Sequence, residues 1–288
     1  MRLVLLGVRG STPAPGAPFV RYGGHTSCVA VLGAVESVPS LVLDAGTGLR
    51  DLPRLMAGRP FRGALVLSHL HWDHLQGLPF CPSVDHPEAR VDLFLPDDGV
   101  PPRRLLARAM SPPHFPIGPE GLLGAWRFRP AGPGVLPVPA AVVSVAPVPH
   151  KGGVTFGIRV DLDGASAAYL PDHLPDARPD AAAEALIHGV DMLLHDGQFL
   201  DRELERAQDY GHTTIGQALR IADRCAVGRL VLTHHAPFRT DDELDALAAA
   251  VTCTPQGRPV SFARQGDMLQ TQDRATSRGV SSWDVSHR

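Results

Sequence analysis

Between residues 68 and 77 the sequence reads SHLHWDHLQG, which puts His69, His71, Asp73 and His74 directly after the apolar run ALVLS. His69 and His71 alternate at strand spacing, so both imidazoles leave the backbone on one side. Asp73 and His74 fall where DHLQGL starts a helix that Asp73 can cap. Neutral imidazole binds borderline metals such as zinc through nitrogen, whereas a carboxylate tolerates harder ions and can bridge two of them. Such a cluster can hold two cations rather than one. The same residue types recur where other apolar runs end: Asp44 after LVL, His150 after APVP, Asp172 after AYLP, His195 and Asp196 after MLL, and His234 and His235 after LVLT. Any one of these is an ordinary turn residue. Six in series, each delivered by a strand to one edge of a sandwich, need a shared site.

The elements that must carry these groups follow from hydrophobic punctuation. Short β-rich runs such as LVLLGV, SLVLDAG, VDLFLP, TFGIRVDL and RLVLTHH are separated by helical patterns such as PRRLLARAM, TIGQALRIADRC and TDDELDALAAAV. They predict an α/β fold with two sheets packed face to face and helices outside. Residues 1–270 are expected to form one domain, with an irregular Pro-rich lid or loop over 95–149 and a flexible tail over 271–288. At 288 residues and 44% hydrophobic the chain buries a sizeable core. A net charge of −3 argues against a dedicated polyanion-binding face. The opening apolar stretch is too short for a signal peptide or a membrane span, and Cys28, Cys81, Cys225 and Cys253 show no framework spacing. A cytoplasmic protein with free thiols and no membrane partner is expected. A strand such as LVLLGV serves equally as core or as a dimer edge, so a homodimer is allowed.

Taken in order, these motifs resemble the metallo-β-lactamase superfamily, whose members carry H-x-H-x-D-H followed by a later His, an Asp and a final His on a four-layer αβ/βα sandwich of two mixed sheets flanked by helices. The resemblance runs from VRGSTP to LTHHAP. It implies one metal held by His69, His71 and His150, a second held by Asp73, His74 and His234, and Asp172 bridging them. Asp44 would sit behind the metals and orient a histidine. His235 competes with His234 for the last position; His234 is preferred because it follows LVLT directly. Two divalent ions are implied, with zinc first and manganese or iron as alternatives.

HDGQF followed by YGHTT resembles the paired boxes of the tRNase Z and related phosphodiesterase branch. That implies that His212 donates a hydrogen bond or proton to the phosphate or leaving oxygen while Asp196 faces its other nitrogen; with Asp73 these are the expected catalytic groups. GHTT also opens a helix whose backbone N–H groups could receive an anion, with Thr213 or Thr214 as cap; alternatively His212 is merely the cap. The opening GVRGSTP and the segment MSPPHFPI resemble bacterial phosphodiesterase-like hydrolases, which implies substrate contacts from Arg9, Ser11 and Thr12. Three histidines depart from that pattern. His25 stands where asparagine is usual, His114 where tyrosine is common and His173 where threonine or serine follows the bridging aspartate; His25, His114 and Thr213 are carried as candidate substrate contacts.

Two cations about 3.5–4 Å apart lower the pKa of a bridging water and hold an electrophile's oxygen. The expected activity is hydrolysis of a small phosphodiester (a cyclic nucleotide, a cyclic phosphate or a short diester) through metal-bound hydroxide. No basic insertion able to clamp a large RNA is visible. The alternative on the same metals is a lactone, thioester or β-lactam hydrolase. A tRNA 3′-processing endoribonuclease and a non-catalytic metal-binding sensor are further alternatives.

Overall fold

The computed structural model describes residues 1–139, 141–175 and 180–271. Two seven-stranded mixed sheets face each other. The first runs in the order β14 (Met268–Gln270), β1 (Arg2–Gly7), β2 (Cys28–Leu32), β3 (Leu41–Leu43), β4 (Arg62–Val66), β5 (Arg90–Pro96) and β6 (Ala125–Ala131). The second runs β13 (Val260–Phe262), β12 (Leu230–Thr233), β11 (Met192–Asp196), β10 (Ala165–Leu170), β9 (Phe156–Leu162), β8 (Val142–Pro147) and β7 (Gly134–Leu136). Each sheet joins antiparallel outer strands to a parallel block: β3 through β6 in the first, β10 through β13 in the second.

Period-2 alternation explains the layering. In β1, Leu3 and Leu5 point between the sheets, where they join Val29, Phe94, Ile158 and Leu194, whereas Val4 and Leu6 pack outward with Leu49, Leu52 and Phe61. Strands buried on both faces read as continuous apolar runs, and so they do here. Around the sheets lie α1 (Pro53–Met56), α2 (Trp72–Leu75), α3 (Pro102–Ala107), α4 (Ala181–Ile187), α5 (Leu204–Tyr210), α6 (Ile215–Arg224) and α7 (Asp241–Ala250). Leu186 of α4, Ala218 and Ile221 of α6 and Leu244 of α7 cover the outer face of the second sheet. The architecture is the expected helix, sheet, sheet, helix sandwich.

One expectation changes, and one open alternative is decided. The segment 95–149 contains α3, β6, β7 and β8, so its prolines punctuate regular elements rather than mark one long loop. β1 is not a free edge, because β2 and β14 flank it. The tail assigned to 271–288 lies outside the described residues apart from Thr271, whose N–H and hydroxyl both donate to the Met1 carbonyl. Among the described residues no helix is long and apolar enough to cross a membrane.

Candidate functional site

The His and Asp residues at the strand ends gather at one edge of the sandwich, where the parallel blocks end. The Asp172 carboxylate, just past β10, divides them. Its Oδ2 lies 3.4 Å from Nε2 of His69 and 3.3 Å from Nε2 of His150, while its Oδ1 lies 3.2 Å from Nε2 of His74 and 3.0 Å from Nε2 of His234. His71 joins the first group, with Nδ1 3.3 Å from His150 Nε2. Asp73 joins the second, with Oδ2 3.2 Å from Nε2 of both His74 and His234. Four ligand atoms placed tetrahedrally at zinc bond lengths sit about 3.3 Å from one another. These spacings match. Nε2 of His69, Nε2 of His74 and Oδ1 of Asp172 are moreover buried without a hydrogen-bond partner among the described residues, a costly state that a cation relieves. The donor set therefore fits divalent metal ions.

Hydrogen bonds behind the cluster fix which ring nitrogen faces it. His74 Nδ1 contacts Asp44 Oδ2 at 2.8 Å, and His150 Nδ1 contacts the Gly211 carbonyl at 2.6 Å; donation there leaves each Nε2 lone pair for the site. Asp44, at φ 56°, also accepts from the Ser68 N–H, the Ser68 hydroxyl and the Tyr169 hydroxyl. Burial pulls the pKa values of His69, His71 and His150 down, so their lone pairs are free at neutral pH. Burial works against charge on His74 as well, but Asp73, Asp172 and Asp44 hold it well above the ordinary value. Burial would raise Asp73 and Asp172, yet His74 and His234 hold both below the carboxylate range.

The choice between adjacent histidines is made by the backbone. His234 takes φ 57°, a left-handed conformation that is uncommon for non-glycine residues but more accessible to histidine than to most, and presents Nε2 to Asp73 and Asp172. His235 instead donates from Nε2 to the Ala263 carbonyl, and burial pushes its pKa down to about 3.

His212 lies beside the cluster, its ring centroid 5.1 Å from those of His150 and His234, with Nδ1 2.9 Å from Asp196 Oδ2. Burial opposes its charge, but Asp196, helped by Asp172 and Asp73, raises it to about 9. The rest of the GHTT box is structural. Thr213, read as a substrate contact, is buried; its N–H donates to Asp196 and its hydroxyl to the His173 carbonyl. The start of α6 is also closed to an anion, since a capping box pairs Thr214 with Gln217, the Ile215 N–H donates to Phe199 and the Gly216 N–H to Asp201. His173 points its Nδ1 at His195 Nε2, 3.0 Å away.

Of the other expected substrate contacts, only Ser11 reaches the cleft. Its N–H donates to Asp73 Oδ2 at 2.7 Å, and it lines a cavity of about 400 Å³ together with Trp72, Asp73, Asp172, Tyr210 and His212. Arg9 is a correction. It is fully buried and donates to the carbonyls of Gly23, Ala236 and Arg239 and to Asp241, so it clamps α7 to the first loop. Thr12 is exposed, and His25 faces a separate depression near Gln265, with Nδ1 3.3 Å from the Thr47 hydroxyl. His114 lines a neighbouring groove that shares Trp72 with the cleft. Three contributors went unread in the sequence. Tyr169 is the one hydroxyl in an inward-facing apolar row, a signal that could have marked it. Ser68 and Gln198, which supports the Ser11 hydroxyl, carry no such signal.

Comparison with known proteins agrees with this architecture. Residues 40–235 match the family described as the beta-lactamase superfamily domain. A ribonuclease Z from Bradyrhizobium sp. (strain ORS 278) is 26% identical over 298 aligned positions, covering 86% of this chain and 94% of that protein. A diphosphatase from the PhnP family superposes with a TM-score of 0.69 at 19% identity, covering 94% of this chain and 98% of that one. The short form of human tRNase Z gives a TM-score of 0.66 at 19% identity, covering 94% and 100%. At such identities the two structures speak for the fold alone.

Proposed function

From the premise that this chain belongs to the metallo-β-lactamase superfamily and is a metal-dependent hydrolase, we propose that it is a dinuclear phosphodiesterase acting on a small diester. His69, His71 and His150 with Oδ2 of Asp172 would hold one ion, and Asp73, His74 and His234 with Oδ1 of Asp172 the other. Nitrogen-rich ligation favours zinc, with manganese or iron the alternatives. Bound divalent ions supply Lewis acidity and a water acidified to near neutral pH.

The observation that carries the phosphodiester reading is the His212–Asp196 pair beside the Asp172 cluster. Asp196 accepts from Nδ1 of His212 and favours the charged ring, which leaves Nε2 to give a proton to a departing alkoxide in the cleft. The same cation balances the charge that builds on a phosphoryl group in the transition state. Ser11, held on Asp73 and Gln198, borders the cavity where the diester would lie. The likeness to a ribonuclease Z supports a second reading, scission of an RNA strand. The net charge of −3 favours the small diester.

The test is hydrolysis of bis(p-nitrophenyl) phosphate by zinc- or manganese-loaded protein beside a lactone, a β-lactam and a 3′-extended RNA, with His69→Ala as the blank. Metal-dependent turnover of the diester is expected, and turnover of the acyl substrates alone would overturn the proposal. His212→Ala should lower kcat by about 10²–10⁴-fold with metal content near wild type; loss of metal alongside would assign His212 to ligation instead.

A further inference from the structure

Exposed Phe, Tyr and Trp side chains are ordinary when scattered and informative when they gather. Among the described residues the large exposed aromatics are Trp72 (73%), Phe80 (61%), Tyr210 (59%) and Phe238 (43%), and two of them, Trp72 and Tyr210, border the cleft itself. Trp72 and Tyr210 line the cavity that holds Asp172 and His212. Phe80 shares the adjoining groove with Trp72. Phe238 lies under the Arg206 guanidinium, 4.9 Å from it, and the same guanidinium sits 5.7 Å from the Tyr210 ring. The chain places them deliberately close to the chemistry: Trp72 stands between His71 and Asp73, and Tyr210 two residues before His212. Trp72 opens α2 from the first sheet's side of the sandwich, and Tyr210 closes α5 on the second's.

A large apolar ring left in water at a catalytic mouth is stabilised when a ligand covers it, and a flat π-face adds a stacking contribution to the burial. Stacking on a nucleobase does both, and it tolerates any base because every base has a π-face. We infer that Trp72 and Tyr210 form an aromatic platform that binds the nucleobase of a nucleotide diester, so that the scissile phosphate meets the Asp172 cluster while Arg206 adds a cation beside the rings. This names the substrate class within the phosphodiesterase reading and rests on it. The shared chemistry, a base joined through its sugar to the phosphate, could come from a mononucleotide or from the end of a strand.

The experiment compares two diesters with one leaving group, thymidine 5′-(4-nitrophenyl phosphate) and methyl 4-nitrophenyl phosphate, on metal-loaded protein. Wild type should favour the nucleoside ester in kcat/KM. Trp72→Ala should reduce that ratio about tenfold, equivalent to about 1.4 kcal/mol, Trp72→Phe should restore part of it, and Tyr210→Ala should lower it less. A structural role for Trp72 moves both esters together and leaves the ratio as it was, which would overturn the inference, as would a wild-type ratio near one. Calorimetric binding of thymidine 5′-monophosphate against methyl phosphate separates the two readings. If neither ester is cleaved, the phosphodiesterase reading fails, and the platform stands only if the nucleotide still binds about tenfold tighter and Trp72→Ala abolishes the difference. Short oligonucleotides identify the source: a KM that falls with strand length points to a strand end, and one that stays level to a mononucleotide.

Discussion

Asp44→Asn should disable one half of the metal centre without touching a metal ligand. Asp44 Oδ2 accepts from three groups, the Ser68 hydroxyl at 2.9 Å, the Tyr169 hydroxyl at 2.9 Å and His74 Nδ1 at 2.8 Å, while Oδ1 accepts from the Ser68 N–H at 2.7 Å. Asparagine keeps the shape and tolerates φ 56°, and its oxygen can keep the Ser68 N–H. Its NH2 then replaces an acceptor that served three donors. The two hydroxyls can turn and accept. His74 can satisfy the new donor only by moving its proton from Nδ1 to Nε2, which points that proton at Asp73 and Asp172, where a cation would sit. Metal affinity at the His74 half should fall by about 10–100-fold, and the metal-free protein should lose about 1–3 kcal/mol for one mismatched buried group. Asp44→Ala is harsher. It orphans the Ser68 N–H and the His74 N–H at about 1–3 kcal/mol each and puts alanine in a left-handed conformation at a further cost of about 1–2 kcal/mol, a large part of a typical domain's 5–15 kcal/mol. Zinc titration against a competing chelator, with urea unfolding of the metal-free protein, measures both quantities. Wild-type zinc affinity in Asp44→Asn would refute the tautomer reasoning.

Gly10→Ala should expel His234, since a Cβ there would lie 2.4 Å from His234 Nδ1 and 2.6 Å from Gln198 Oε1; elemental analysis should find about one metal per chain fewer, and unchanged content would refute the crowding. Chelation should lower Tm, and zinc restored at 100 times its Kd should return about 2.7 kcal/mol. Zinc loading should weaken as pH falls, because protons compete for the histidine nitrogens, and a proton released on loading near neutral pH, read by calorimetry in two buffers, checks this. Burial depresses the His235 pKa to about 3 in the folded state. The unfolded chain therefore binds more protons below about pH 6.5, and this residue should remove stability as pH falls at up to about 1.4 kcal/mol per unit. Urea unfolding of His235→Gln between pH 7 and 5 should show a shallower decline than wild type; equal slopes would count against it.

Where the sequence misled, it did so through partners it could not show. Arg9 on a Gly-bounded loop looks like a substrate contact, but its acceptors lie at 23, 236, 239 and 241. GHTT looks like an anion-binding helix start, but Asp201 and Phe199 occupy its N–H groups. The prolines of 95–149 suggested one irregular stretch, but its far end, from Ala125, is strand β6 paired along β5, with β7 and β8 after it.

The sequence by itself determined which residue types stand at the strand ends and the layered fold, because alternation along a strand and residue order are local properties; the pairing of His212 with Asp196 came from the family resemblance of HDGQF and YGHTT. Only the tertiary structure showed which oxygen of Asp172 faces each half of the cluster, and that His234 presents Nε2 to Asp73 and Asp172 while His235 turns to the Ala263 carbonyl. Those outcomes depend on atoms brought within about 3–6 Å across as many as 161 residues of chain, as between Asp73 and His234, and such distances are set by how the two sheets pack rather than by any neighbouring residue.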